Sequence, residues 1–434
     1  MVTIFGDWIH WLLSAPPEEI FWLHFPALLL DGPRYALGSL VVLMMDLWQR
    51  FTGRTGQNDV PAGDGGRYTY APHIAVVLAG LNEADSVAAT LASLWGSYPN
   101  MEIFVVDDGS NDGMADRARE FARNHPGVKV FRRQLRGGKS SALNFALSLT
   151  EAEIVVNVDA DSVLGPQAIW EILQPFQDPT VGAVGGVVMV RNATTNLCTW
   201  LQAIEYRTGI FLGRIFTDRF DMLGIVSGAF GAFRTSAMRQ LHGWDVGPGE
   251  DGDLVLRLRR AGYRILFAPY AECYTNAPTK WKVLIKQRRR WEWAIVTFEC
   301  RKHLGLAYPW QAKFRWSNLA LVVDRILYNV VLVYLFWIFA IWIALRPPIH
   351  LGVMVLSNYV LYLIFGLIQT AVILYYTPYP MYDLKLALGT PLMPFYYLLQ
   401  RGVTCWAITE EFLSRRSFRD NFVPVRVRTQ TWHW

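Results

Sequence analysis

From Leu351 to Tyr376 no side chain carries a charge. A helix of about 20 mainly apolar residues spans the hydrocarbon of a bilayer, so this stretch is predicted to cross a membrane. Leu319 to Leu345 is a second such run, with Asp324 and Arg325 near its start. Charges are costly at mid-bilayer and tolerated at the interface, which places the crossing after Arg325. A buried helical hairpin in a soluble protein is the competing fold, and the length of two adjacent runs favours lipid.

These runs organise the rest of the chain. At the other end, Tyr35–Trp48 is apolar between Arg34 and Arg50, and residues 34–50 read as a first crossing. Ile20–Leu30 is short for a span and reads as interfacial, or as one arm of a second helix. The predicted divisions are an N-terminal membrane segment (1–52), a polar, glycine-rich linker (53–70), an enzyme domain (71–300) and an interfacial region (301–318). Membrane or interfacial helices (319–413) and a basic tail (414–434) follow. Within 384–413, Gly389, Pro391, Pro394, Arg401 and Glu410 interrupt the apolar pattern, leaving either a kinked third crossing or a surface helix. Arg415, Arg416, Arg419, Arg426 and Arg428 would hold the tail on the cytoplasmic side, with the enzyme domain.

Charged residues make up 18% of the 434, below the roughly 25% of soluble domains, and the net charge is +5. The arginines gather beside apolar segments rather than along one helix face, which excludes nucleic acid as partner and points to lipid headgroups and a diphosphate. The four cysteines have no paired short spacing, so neither a zinc site nor a disulfide framework is expected. The N-terminus carries no basic region and cleavage site of a removable signal.

Between residues 71 and 300 the pattern changes. His73–Gly80, Glu102–Val106, Val128–Phe131 and Glu153–Val158 read as strands; Ala84–Trp95, Asp112–Asn124, Lys139–Leu149 and Gln167–Phe176 read as helices. The alternation predicts an α/β fold, a mostly parallel sheet with helices on both faces. Ligands bind such sheets beyond the carboxyl ends of the strands. There stand Asn82 and Glu83, then Asp107-Asp108-Gly109, then Asp159-Ala160-Asp161. Several carboxylates at one rim need a cation, and Mg²⁺ or Mn²⁺ suits oxygen donors shared with a diphosphate. An Asp-Asp-Gly after a strand is also a common turn. Gly137-Gly138-Lys139-Ser140 lacks the first glycine of a phosphate loop, so Lys139 is expected to meet a phosphate or pair with a rim aspartate.

Further on come Gly249-Glu250-Asp251 and Gln287-Arg288-Arg289-Arg290-Trp291. In extended chain Glu250 and Asp251 would face opposite ways, so only one of the two carboxylates would face a substrate. Asp253 is expected to cap a helix over 253–261. Arg290 would grip phosphate oxygens with its planar fork. Arg288 and Arg289 would point to lipid headgroups. Trp291 offers a flat face to a sugar ring, with an interfacial belt as its alternative role, and Trp293 fits the belt better.

Taken in order, these residues resemble the family 2 glycosyltransferases, above all the membrane-embedded branch of cellulose, hyaluronan, chitin-oligosaccharide and poly-N-acetylglucosamine synthases. The resemblance covers about residues 71–300 and the flanking helices. It implies a GT-A, Rossmann-like fold. It implies that Asn82, Glu83, Asp107 and Asp108 bind the uridine end of a UDP-sugar, with Lys139 near the donor. Asp159 and Asp161 would hold the metal and the diphosphate, Asp251 would be the base, and Gln287, Arg290 and Trp291 would complete the site. Ser227–Gly231 resembles the stretch at the acceptor mouth. Gly249 replaces the threonine of the Thr-Glu-Asp form, which points toward an N-acetylhexosamine donor. No counterpart of the regulatory C-terminal domain of bacterial cellulose synthases is expected.

The expected function is inverting, processive transfer from UDP-N-acetylglucosamine or UDP-glucose to the hydroxyl of a growing glycan, at a bacterial inner or plasma membrane, with export through the chain's own helices. The alternatives are a non-processive transferase acting on a membrane lipid and, from another class, a scaffold with an inactive nucleotide-binding domain. The number of subunits is not set by the sequence.

Overall fold

The computed structural model describes residues 6, 9–11, 13–25, 32, 34, 36–53, 68–245, 249–345, 348–420 and 424–427. Most of the predicted linker (54–67) and Arg428 lie outside them. The chain forms two compact units: Met1–Thr55 with Ile326–Cys405, and Gly56–Arg325 with Trp406–Trp434.

The second unit is built on eight strands: β1 (Ile74–Gly80), β2 (Met101–Asp107), β3 (Val128–Arg132), β4 (Ile154–Asp159), β5 (Val163–Leu164), β6 (Val181–Val190), β7 (Phe230–Arg234) and β8 (Arg264–Thr275). Their order across the sheet is β3-β2-β1-β4-β7-β6-β8-β5. β3, β2, β1 and β4 are mutually parallel, as the alternation predicts. β7 is then inserted antiparallel to both β4 and β6. The second half of the sheet gives no clear signal in the sequence for a physical reason. Gly185-Gly186 interrupts β6 and Pro269 interrupts β8, and the β6–β8 register slips between Gly186 and Val187. Glycine and proline within a run argue against a regular strand.

The core follows from strands covered on both faces. Ile74 to Leu78 are wholly buried, as are Val87, Leu91 and Leu94, which share one face of the helix Val87–Leu94. Such continuous burial suits a parallel sheet sandwiched by helices.

In the first unit the helices Pro17–Phe25, Gly38–Phe51, Pro348–Tyr376 and Pro380–Ala387 are complete. Among the described residues, two helices are long and apolar enough to cross a membrane: Trp316–Ala344 and Leu351–Tyr376. Gly38–Phe51 has 14 residues, about 21 Å of helix, and residues 32, 34, 36 and 37 before it are also helical. Two polar pairs lie within this unit: Tyr376 Oη donates to Asp46 Oδ2 at 2.6 Å, and Asn358 Nδ2 donates to the Leu23 carbonyl at 2.9 Å. Arg325, at the end of its own unit, donates to Glu299 Oε1 through both Nη2 and Nε, at 2.6 and 2.8 Å.

Trp406–Trp434 belongs to the unit that holds the sheet. Arg416 sits 3.6 Å from Glu410, and Arg426 donates to the Arg136 carbonyl at 2.7 Å. At least these two arginines therefore have partners in the protein.

Candidate active site

Strand register builds the rim. β1 pairs with both β2 and β4, so Gly80 lies beside Asp107 and Ala79 beside Asp159. Asp107 and Asp159 thus reach the carboxyl edge of the sheet within one residue of each other.

Asp107 and Asp108 are almost inaccessible, at 1% and 3% exposure. Asp107 Oδ1 accepts from the Gly109 and Ser110 amides at 3.1 and 2.7 Å, and its Oδ2 lies 3.8 Å from Arg132. Asp108 accepts from the Gly137 and Gly138 amides at 2.8 and 2.7 Å. Asp107 therefore shapes its own turn, and Asp108 pins the glycine pair in front of Lys139. Asn82, in the left-handed region at φ 61°, joins the β1 and β2 loops. Its N–H donates to Ser110 Oγ at 2.8 Å, and its Oδ1 accepts from the Asn111 amide at 2.9 Å.

Lys139 opens the helix Lys139–Leu149. Its ammonium lies 2.5 Å from Asp159 Oδ1, 3.0 Å from the Gly228 carbonyl and 3.8 Å from Glu250 Oε1. Burial works against this charge, but Asp159 and Glu250 outweigh it and raise the Lys139 pKa. The Gly228 carbonyl also accepts from Asn157 Nδ2 at 2.8 Å, and the Gly228 N–H donates to Asp251 Oδ2 at 2.9 Å. One peptide segment thus ties the Asp-x-Asp strand to the Glu-Asp helix.

That helix begins earlier than the sequence suggests. It runs Glu250–Arg260, with Gly249 at φ 80° before it. Glu250 and Asp251 therefore do not alternate across extended chain; both turn toward Gly228 and Lys139. Burial pushes the Glu250 carboxyl up, Asp251 adds to this, and Lys139 opposes it. Asp251 Oδ1 accepts from the Gly252 amide at 2.8 Å, so both oxygens are oriented by main chain. Asp253 is no cap: it lies inside the helix, fully buried, against Arg257, Lys302 and His303.

Glu83, Asp159 and Asp161 gather negative charge. Burial, then Asp159, raises the Asp161 carboxyl. Burial, then Asp161, Asp159 and Asp112, raises Glu83. Asp161 receives a hydrogen bond from Ser162 Oγ at 3.3 Å. Repulsion among hard oxygen donors fits a divalent cation. Among the described residues no three His, Cys, Asp or Glu side chains form a metal cluster. A divalent ion here would find Asp159 and Asp161 as ligands and would need others from substrate and water.

The helix Trp281–Ala294 carries Gln287, Arg290 and Trp291 and packs beneath Gly249. A Cβ at Gly249 would sit 2.7 Å from Ala294 Cβ. Arg290 Nε lies 3.2 Å from Asp420. Burial lowers its pKa, while Asp420 and Glu250 raise it. Gln287 Oε1 is buried without a hydrogen-bond partner among the described residues. Trp291 is 45% exposed, with the Arg288 guanidinium 4.1 Å from its ring centre.

Three expectations fail here. Arg288 is buried and pairs with Glu205 at 2.7 Å. Arg289 meets Glu410 at 2.5 Å and stacks on Trp406 at 4.0 Å. Neither faces lipid headgroups, because acids from neighbouring elements neutralise them. Trp293 is 6% exposed and belongs to the core, not to a belt.

Asp420, Asn157 and Arg214 went unread. Asp420 stands alone among arginines, and Asn157 sits in an apolar strand. Arg214 is buried in the field of Asp251, donates to the Gly186 carbonyl at 3.2 Å, and is pulled by burial to about 10. None lies in a motif.

Comparison with known proteins agrees with this fold. The poly-beta-1,6-N-acetyl-D-glucosamine synthase of Staphylococcus epidermidis is 33% identical over 221 residues, 50% of this chain and 53% of that protein. The synthase of Staphylococcus aureus strain MSSA476 is 31% identical over 221 residues, with the same coverage. The chain thus spans about half the length of the curated relatives it matches. Among solved structures, the mannosyltransferase PcManGT from Pyrobaculum calidifontis, in complex with GDP-Man and Mn²⁺, superposes with a TM-score of 0.60 at 20% identity. The match covers 91% of this chain and 99% of that one, a likeness of fold, here GT-A. The family described as Glycosyltransferase like family 2 matches residues 71–294, so the chain belongs to it.

Proposed function

We propose that this enzyme is an inverting, processive polysaccharide synthase. It would transfer the sugar of UDP-N-acetylglucosamine or UDP-glucose to the hydroxyl of a growing glycan and pass the product into its own membrane helices. The observation that carries this reading is the Asp159–Lys139–Gly228–Asp251 chain of contacts, which gathers donor-side and acceptor-side groups around one peptide. The names of the staphylococcal relatives support a polymerising role with N-acetylglucosamine.

A sugar hydroxyl is a weak nucleophile at neutral pH. Asp251, held by the Gly228 and Gly252 amides, would take its proton as the new bond forms. A general base contributes about 10²- to 10⁴-fold. Lys139 and Arg290 would bind the diphosphate and favour its departure, since preorganised cations stabilise developing negative charge. Asn82, Glu83, Asp107 and Asp108 would shape the nucleotide end, the two buried aspartates by fixing loops. Gln287 and Trp291 would bind the acceptor sugar. Asp159 and Asp161 would hold Mg²⁺ or Mn²⁺, which when bound supplies Lewis-acid stabilisation of the diphosphate. A single carboxylate base with no carboxylate nucleophile is consistent with inversion.

The test uses the full chain in lipid vesicles, given each labelled UDP-sugar and GDP-mannose in turn, with and without a chelator. Long polymer from a UDP-sugar, lost in chelator and regained with Mg²⁺ or Mn²⁺, is expected. A single sugar added to a lipid would replace processivity with the lipid-acceptor reading, and turnover of GDP-mannose alone would overturn the donor assignment.

A further inference from the structure

The helix Glu250–Arg260 carries the proposed base at its first turn and a second polar cluster at its last. The two ends are about 14 Å apart along the axis. At the far end lies a cavity of about 220 Å³, lined by Arg260, Leu306, Gln311, Lys313, Phe314 and Asn318 among others. No part of the transfer chemistry uses it.

Asn318 is the telling residue. It is 1% exposed, and its Oδ1 accepts from buried Arg259 Nε at 2.8 Å. An arginine can only donate, so the amide orientation is fixed and Nδ2 is turned away from Arg259. Nδ2 has no hydrogen-bond partner among the described residues. A buried donor without an acceptor is costly, and Asn318 is one of the residues that line this cavity.

The surrounding charge says which kind. Arg259 and Arg315 both approach Asp221, each at 3.4 Å. Arg260 and Lys313 have no acidic partner among the described residues. Lys313 Nζ is held 2.5 Å from the Ala261 carbonyl, at the end of the helix. Two cations and an amide donor beside one cavity, with one nearby acid already shared, suit a phosphate group.

Exposed rings close in sequence to the lining residues bear on how that phosphate is carried. Tyr308, Trp310 and Trp316 are 41%, 76% and 75% exposed, and Tyr308 stacks on Trp310 at 4.8 Å. Indole and phenol rings concentrate where water meets hydrocarbon. Trp316 is also the first residue of the apolar helix Trp316–Ala344. A belt of aromatic rings alone needs neither a cavity nor an unpaired buried amide. We infer that this cavity binds the phosphate of an anionic phospholipid, with Arg260, Lys313 and Asn318 Nδ2 as donors and the exposed rings against the lipid.

The test is retention of phosphatidylglycerol by the full chain after exchange out of mixed phosphatidylcholine and phosphatidylglycerol vesicles, read by native mass spectrometry. Two variants are compared: Asn318→Asp, which keeps an acceptor for Arg259 but sets a negative group against the anion, and Arg260→Gln combined with Lys313→Gln. Each should lower retention about tenfold, a loss of one decade in affinity. Phosphatidylcholine retention and sugar transfer in lipid-free detergent should not change. Equal phosphatidylglycerol retention in wild type and both variants would overturn the site. Displacement of the lipid by inorganic phosphate alone, with wild-type but not variant protein, would show a free anion as the occupant and overturn the lipid.

Discussion

The Gly228 amide donates to Asp251 Oδ2 across 2.9 Å, and this bond sets the direction of the proposed base. The same residue's carbonyl holds the Lys139 ammonium at 3.0 Å. Any change at Gly228 is therefore felt on both sides of the site.

Gly228→Ala tests that link. A Cβ there would stand 2.9 Å from Lys139 Nζ and 3.5 Å from Asp251 Oδ2. The flexible lysine can retreat, so the fold should survive with a melting temperature close to wild type. Misplacing catalytic groups costs about 10²-fold in rate, and kcat should fall by that order. An unchanged kcat would show that the contact has no part in turnover.

Asp251→Asn should retain nucleotide affinity, measured by calorimetry, while transfer drops about 10²- to 10⁴-fold. The amide keeps an oxygen for Gly228 but cannot take a proton. Comparable turnover would move the base elsewhere, with Glu250 next to be examined.

Asp420 occupies Arg290 at 3.2 Å. If a diphosphate and Asp420 compete for this guanidinium, Asp420→Asn should lower KM for the donor. Removing one partly exposed pairing is worth about 1 kcal/mol, or roughly fivefold. A KM equal to wild type would separate Arg290 from the donor.

Acid should destabilise the sheet-bearing unit through Asp253. Its carboxylate accepts from Arg257, Lys302 and His303 at 2.8, 2.7 and 2.8 Å. Burial alone would raise it, but these partners hold it well below its ordinary 3.8. The stability from a depressed carboxylate is present above the unfolded value and disappears as pH falls through the folded one. Burial also lowers His303 from 6.5, against Asp253 and with Arg260 and Lys302. Its unfolded form takes a proton first, so stability should begin to fall just below pH 6.5 and fall again below 3.8. Asp253→Asn should cost about 3–5 kcal/mol, since it strands buried cations. Thermal unfolding across this pH range reads both effects; a flat profile would contradict them.

The strand-helix alternation of residues 74–159 was legible because its strands are continuous apolar runs. The helix Lys139–Leu149 was read to its end residues. The antiparallel β7 and the bulged β8 were not, since glycines and a proline interrupt their pattern. In the site, the sequence pattern did not show how Glu250 and Asp251 turn. That depends on Gly249 taking a left-handed φ of 80° and starting a helix at once. The fates of Arg288 and Arg289 were hidden for another reason: Glu205 and Glu410 are distant in sequence, and spacing alone does not reveal such partners.

Glu411 is fully buried; it accepts from Arg301 at 2.8 Å and from Ser417 through both its amide and its hydroxyl. With Glu410 and Asp420 it supplies the counter-ions for three arginines between residues 289 and 301. A protein cut after Cys405 would thus lose more than an appendage. It would leave a cluster of uncompensated guanidinium groups under the transferase floor, and repulsion there would loosen the helix that presents Trp291.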